Sequence, residues 1–233
     1  MSELCRWLHE HIEPRRLIDY RVVRRQGLEM LPVNGVYFFY EGGELWGHGG
    51  NKQRIVRVGT HRDGNFRSRI AEHYLLKEAR MNFDKNKPKP SDRSIFRKNI
   101  GRALLNKEHD SYLTTWETDF IRHDNKVKYA GERDIEKEQE IERKITEILR
   151  SNFSFRFIEL ASQKERMGRG GIESALIGTL AKCPQCKASG DWLGKYSPKT
   201  EISNGKLWLV QHLKANSLNG THKKIILDAV LKV

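Results

Sequence analysis

Two stretches decide how this chain folds: NGVYFFYEGG at residues 34–43 and RIVRVGTH at residues 54–61. Each sets an apolar, β-branched or aromatic run beside glycine, the composition of a half-buried strand. With the intervening ELWGHGGNKQ they predict a hairpin, with a short strand of its own at ELWG. A packed hairpin has no need of Arg57, which stands in the middle of the second run. Strict alternation points it away from Val56 and Val58. Taken singly, Tyr37 reads as a packing residue and Arg57 as a solvent-facing one.

After the hairpin, THRDGN reads as a turn with Asp63 or Asn65 as cap, and FRSRIAEHY as a helix. Phe66, Ile70 and Tyr74 recur every fourth residue and form its buried stripe. Arg69 and His73 share the neighbouring face, where a guanidinium fork and an imidazole can grip a phosphate. Before the hairpin, SELCRWLHEHI reads as a helix that Pro14 ends, and LIDYRVV as either strand or helix.

Further along, SIFRKNIGRALL predicts a helix begun by Ser94, YLTTW a strand, residues 132–150 a charged helix and FSFRFIEL a strand. MGRGG is a turn. IESALIGTLAK follows as an apolar helix with one carboxylate, Glu173, in its first turn. First-turn placement satisfies the helix dipole, and it also suits a hard-cation ligand. KLWLVQHLK reads as strand or helix and HKKIILDAVLKV as a closing helix.

The 233 residues carry a formal net charge of +13 with a sequence pI near 9.7. So large a charge of one sign repels itself unless it serves a polyanion. Between residues 82 and 102 seven cations (Lys85, Lys87, Lys89, Arg93, Arg97, Lys98 and Arg102) stand against two aspartates. This stretch is expected to contact phosphates. DNA is the expected partner, and RNA is the other nucleic acid that fits. A membrane-surface role fits poorly, because the helix at 132–150 is rich in acids. There is no apolar run long enough to cross a bilayer and no secretory h-region. With three cysteines, Cys5, Cys183 and Cys186, the expectation is a cytoplasmic protein with reduced thiols. Cys183 and Cys186 make half a zinc site; Cys5 and His212 stand at no recognised spacing from them, and no structural zinc is expected. P-loop, dinucleotide and serine-hydrolase signatures are missing from the sequence.

Taken in order, these residues resemble the GIY-YIG nuclease family. Gly35-Val36-Tyr37 stands at the first motif and Arg57-Val58-Gly59 at the second; Arg69, His73 and Glu173 follow in the family's order. The match covers residues 35–74 and about 170–198 directly. The resemblance implies an α+β fold, a small three-stranded antiparallel sheet flanked by helices, here with a large, mainly helical insertion. It divides the chain into an N-terminal helical extension (1–30), a first core part (31–81), a basic insertion (82–160) and a second core part with the C-terminal helix (161–233).

It further implies metal-dependent hydrolysis of DNA phosphodiesters with Mg²⁺ or Mn²⁺. In that scheme Tyr37 is the base or orienting group for water, Arg69 stabilises transition-state charge, His73 assists proton transfer and Glu173 binds the metal. Arg57 replaces the family's second tyrosine. A cation there either supports negative charge on Tyr37 or marks an inactive nucleic-acid-binding module on the same fold. Asp191, Asn204 and Asn216 are the options for the family's closing asparagine.

Overall fold

The computed structural model describes residues 2–168 and 170–231. Its centre is an antiparallel sheet of four strands: β1 (Ile18–Asp19), β2 (Gly35–Leu45), β3 (Gln53–Gly59) and β4 (Phe153–Glu159), in the order β1-β4-β2-β3. The α+β class is as expected. The sheet has one strand more than expected, because Ile18 and Asp19 pair with Phe155 and Ser154 before the chain turns into a helix. The ambiguous LIDYRVV is therefore both. Asp19 ends the strand, and its carboxylate accepts from the Val22 amide at 2.9 Å to cap the helix. β4 lies inside the sheet, so residues 153–159 belong to the core although they fall within the stretch assigned to the insertion.

The principal helices are α1 (Ser2–Ile12), α2 (Tyr20–Gln26), α3 (Phe66–Tyr74), α4 (Ile95–Lys107), α5 (Ile135–Asn152), α6 (Ile172–Ala181) and α7 (Gly220–Leu231). They cover both faces of the sheet, so its strands are apolar on both sides. Val36, Phe38, Tyr40 and Val58 pack with α1, α6 and α7 in one core. Tyr37, Phe39, Val56 and Phe155 pack with α3, α4 and α5 in the other. Among the described residues no helix is long and apolar enough to cross a membrane.

Two expected elements are corrected. YLTTW is helical (Leu113–Glu117), because Trp116 packs flat against Gly101 of α4 and donates to the Lys98 carbonyl at 3.2 Å. That packing outweighs the β preference of its threonines and aromatics. KLWLVQHLK forms neither strand nor helix. Its Trp208 amide makes one bond to the Val56 carbonyl, at 2.8 Å, and its indole turns into the core.

The alternation assumed for Arg57 also fails. Phe39 faces Arg57 and Tyr40 faces Ile55, so Val56 is the extra residue of a β-bulge. The bulge brings Val56 to the face that Arg57 shares with Phe39 and Tyr37, while Val58 stays on the other; Arg57 is kept from solvent because α4 covers that face. There it is 5% exposed, stacks over the Phe96 ring and donates to the Trp208 carbonyl at 2.5 Å.

Candidate active site

The base of the hairpin places the first group. Tyr37 is paired across the sheet with Gly59, and its ring lies over the glycine backbone. A Cβ on Gly59 would fall 2.3 Å from the Tyr37 hydroxyl, so only glycine lets the phenol cross β3 here. The hydroxyl lies 3.1 Å from His73 Nε2, and His73 Nδ1 lies 2.8 Å from the Ser94 hydroxyl. Ser94 is also the N-cap of α4, so one residue begins that helix and fixes the imidazole. Burial, with Arg69, Arg57 and Arg97 nearby, holds the His73 pKa well below its ordinary value. The ring is therefore neutral and can accept from the phenol. The Arg57 guanidinium lies against the same hydroxyl and within electrostatic reach of both Arg69 and Glu173.

Glu173 enters from α6. Its Oε1 accepts from the Thr60 amide at 3.2 Å. The Tyr37 hydroxyl and the Glu173 carboxylate therefore both meet the backbone at the Gly59–Thr60 peptide. Burial pushes the Glu173 carboxyl up, and the Thr60 amide and Arg57 only partly offset it. Among the described residues it has no ion-pair partner. A half-buried carboxylate so placed is suited to a cation, and a single hard oxygen ligand with water is how Mg²⁺ is held beside a phosphate. The cleft beside it, about 290 Å³, is lined by Arg57, Asn99, Glu173 and His212, with Ile95 and Ile177 as apolar wall.

Arg69 does not line this cleft but lies within electrostatic reach of Arg57 and His73. One Nη donates to Glu72 and, at 2.9 Å, to the Arg93 carbonyl, while its buried Nε has no partner. Arg57 Nε, His61 Nδ1 and Asn99 Nδ2 are likewise buried without a partner. Unsatisfied buried polar atoms are costly; Arg57 and Asn99 leave theirs in the Glu173 cleft and His61 within electrostatic reach of Arg69, while Tyr40, Ser91 and Asp92 leave others elsewhere.

Three of these residues were not legible in the sequence. Asn99 comes from the helix of the insertion, whereas Asp191 and Asn204 are exposed and line no part of this cleft; Asn216 lines the adjoining one. His212 lines both clefts in a left-handed conformation, φ 62°, far from the zinc role considered for it. Arg166, fully buried, donates to the Thr60 hydroxyl at 3.2 Å and to the Leu160 carbonyl at 2.7 Å, which steadies the strand end that holds Glu173.

The basic stretch divides in two. Lys89 and Lys98 share Asp92 at 3.1 and 3.2 Å, Arg97 pairs with Glu142 at 2.7 Å and Arg102 with Glu117 at 2.6 Å. All four are buried, which corrects their assignment as phosphate contacts. Their charges are spent inside the fold by acids, two of which stand outside the stretch in which the charge was counted. Lys85, Lys87 and Arg93 are exposed. Lys77, Arg80, Lys87 and Arg93 line a groove of about 410 Å³, and the Arg93 carbonyl that accepts from Arg69 joins that groove to the site.

A family model described as the GIY-YIG domain matches residues 7–230, nearly the whole chain. Comparison with curated proteins and with solved structures gave no match.

Proposed function

This chain belongs to the GIY-YIG family, whose domain points to a nuclease, and on that premise we propose that it is a divalent-metal-dependent endonuclease that hydrolyses DNA. The observation that carries this reading is the shared Gly59–Thr60 dipeptide, which brings the Tyr37 hydroxyl and the Glu173 carboxylate together from positions far apart in sequence.

Tyr37, held by His73 and Arg57, orients the attacking water and takes its proton while passing its own phenolic proton to His73 Nε2. The neutral His73 ring accepts the hydrogen bond that fixes the phenol. Arg57, in the place of the family's second tyrosine, sets a positive charge beside that oxygen. Arg69 offers its unpaired Nε to a non-bridging phosphate oxygen as charge develops there. Glu173 would hold Mg²⁺ or Mn²⁺, which supplies charge relief to the phosphate and its leaving oxygen. Lys77, Arg80, Lys87 and Arg93 steer the backbone toward the site without reading sequence.

The test is a cleavage assay on varied DNA and RNA duplexes and single strands with Mg²⁺ or Mn²⁺, run beside Glu173→Gln and with EDTA. Metal-dependent nicking of DNA that Glu173→Gln loses, with binding kept, is the expected result. Binding without cleavage across all substrates would overturn it in favour of an inactive binding module, and cleavage of RNA alone would reassign the substrate.

A further inference from the structure

At the far end of the hairpin, the β2–β3 loop meets α1 and the turn that follows α6. Cys5 of α1, His48 of the loop and Cys183 and Cys186 of the turn bring three sulfurs and an imidazole nitrogen within 4.8 Å of one another. The three thiols are free and buried. We propose that these four side chains bind one structural Zn²⁺ that staples the N-terminal helix, the hairpin tip and the Cys183–Cys186 turn together.

The geometry is that of a coordination sphere. Tetrahedral zinc with Zn–S near 2.3 Å and Zn–N near 2.05 Å needs an S···S edge of about 3.8 Å and an S···N edge of about 3.5 Å. Cys5 Sγ lies 3.7 Å from Cys186 Sγ, and Cys183 Sγ lies 3.5 Å from His48 Nε2. A set this compact encloses one ion, and thiolate with imidazole is the donor pair zinc takes. Four protein ligands leave no open position, so the ion is structural rather than hydrolytic.

The surroundings support the same assignment. The backbone amides of Gln185 and Cys186 donate to the Cys183 sulfur, and that of Gly47 to the Cys186 sulfur. Such N–H groups stabilise thiolate charge. Gly47 is required for this approach, since a Cβ there would fall 1.9 Å from the Gln185 carbonyl. His9, one turn after Cys5, completes the arrangement without being a ligand. Its Nε2 accepts from the Ile55 amide at 3.1 Å, which leaves the proton on Nδ1, 3.6 Å from Cys5 Sγ and 2.9 Å from the Cys5 carbonyl. A fixed N–H directed at a ligand atom orients that ligand and tunes the metal.

This site is independent of the proposed nuclease centre, so its test does not depend on cleavage. The full chain, purified under reducing conditions without added metal and dialysed, is analysed for metal by mass spectrometry. The expected result is one zinc per chain. Titrating the wild-type protein with a mercurial thiol reagent should release that zinc in step with modification of three thiols. Replacing zinc by Co²⁺ should give the strong absorption of thiolate-to-cobalt charge transfer and the visible bands of a tetrahedral ion. His48→Ala, the mildest variant because His48 is only half-buried, should weaken zinc retention against a chelator at least tenfold and lower the melting temperature. A reduced, folded protein that neither carries nor takes up a metal would overturn the proposal, as would a disulfide among the three cysteines. Undiminished zinc retention in both His48→Ala and Cys186→Ser would also overturn it.

Discussion

The two ends of the β2–β3 hairpin solve opposite problems with the same device. At each end a glycine admits a group that a Cβ would exclude: Gly59 lets the Tyr37 phenol lie across the strand, and Gly47 lets the Cys183–Cys186 turn close on the loop. The base gathers oxygen and nitrogen groups and leaves buried polar atoms unpaired at Arg57, Arg69, His61 and Asn99. The tip gathers three sulfurs and an imidazole that already satisfy one another in a closed set. One end is incomplete without an anion, as a site for a substrate must be. The other is complete around a single ion, as a staple must be. Stored polar frustration separates them more clearly than residue type does.

The strongest challenge to this contrast is Glu173→Gln. It should lower DNA cleavage by about a hundred- to a thousand-fold, the range for loss of one charge-stabilising group, while zinc content stays at one per chain. If cleavage and zinc fall together, the two ends are not independent. Next in size is Arg97→Ala, which leaves Glu142 buried without its cation and should cost about 3–5 kcal/mol in denaturant unfolding. The exposed Lys87→Ala should change stability by less than about 0.5 kcal/mol. Equal effects would refute the division of the basic stretch into inner and outer charges.

Midway along β2, Glu41 accepts from the indoles of Trp192 and Trp208 at 2.9 and 2.8 Å, and burial pushes its carboxyl from the ordinary 4.5 up to about 7. The folded state holds this proton more tightly than the unfolded chain. Its contribution to stability is therefore full below pH 4.5 and falls by about 3 kcal/mol as pH rises through 7. Glu41→Gln should flatten unfolding free energy over that window; an unchanged slope would place the titration elsewhere. The smallest expected effect sharpens the picture at the base. Lys87→Ala with Arg93→Ala should weaken DNA binding modestly and reduce the salt slope by about two, with Mg²⁺-dependent cleavage kept at saturating DNA. An unaltered slope would move the DNA path off this groove.

Much of the base was legible because its signals are local. Tyr37 and Gly59 sit in apolar runs that can only be strands, and the spacing of Phe66, Ile70 and Tyr74 fixes the face on which Arg69 and His73 stand. The second strand was misread at one residue, since a bulge adds a residue without leaving a mark in the pattern. That insertion moved Val56 to the face of Arg57; Arg57 itself was assigned to solvent because that face was expected to be open, whereas α4 covers it. Asn99 was missed because it lies in a stretch dominated by cations, and Lys89, Arg97, Lys98 and Arg102 were misassigned because Glu117 and Glu142 lie outside that stretch. The tip was illegible for the same reason. Cys5 and His48 stand at no fixed spacing from Cys183 and Cys186, and only folding brings the four together.

By itself the sequence determined the elements whose causes are local: the two hairpin strands, the amphipathic helices, the capping residue Ser94, and the ordered residues that resemble a nuclease. The tertiary structure alone decided which charges face water, which donors are left unpaired and which distant sulfurs meet. Strand and helix patterns arise from neighbours within a few residues, whereas burial, ion pairing and coordination depend on groups that approach only once the chain has closed over its core.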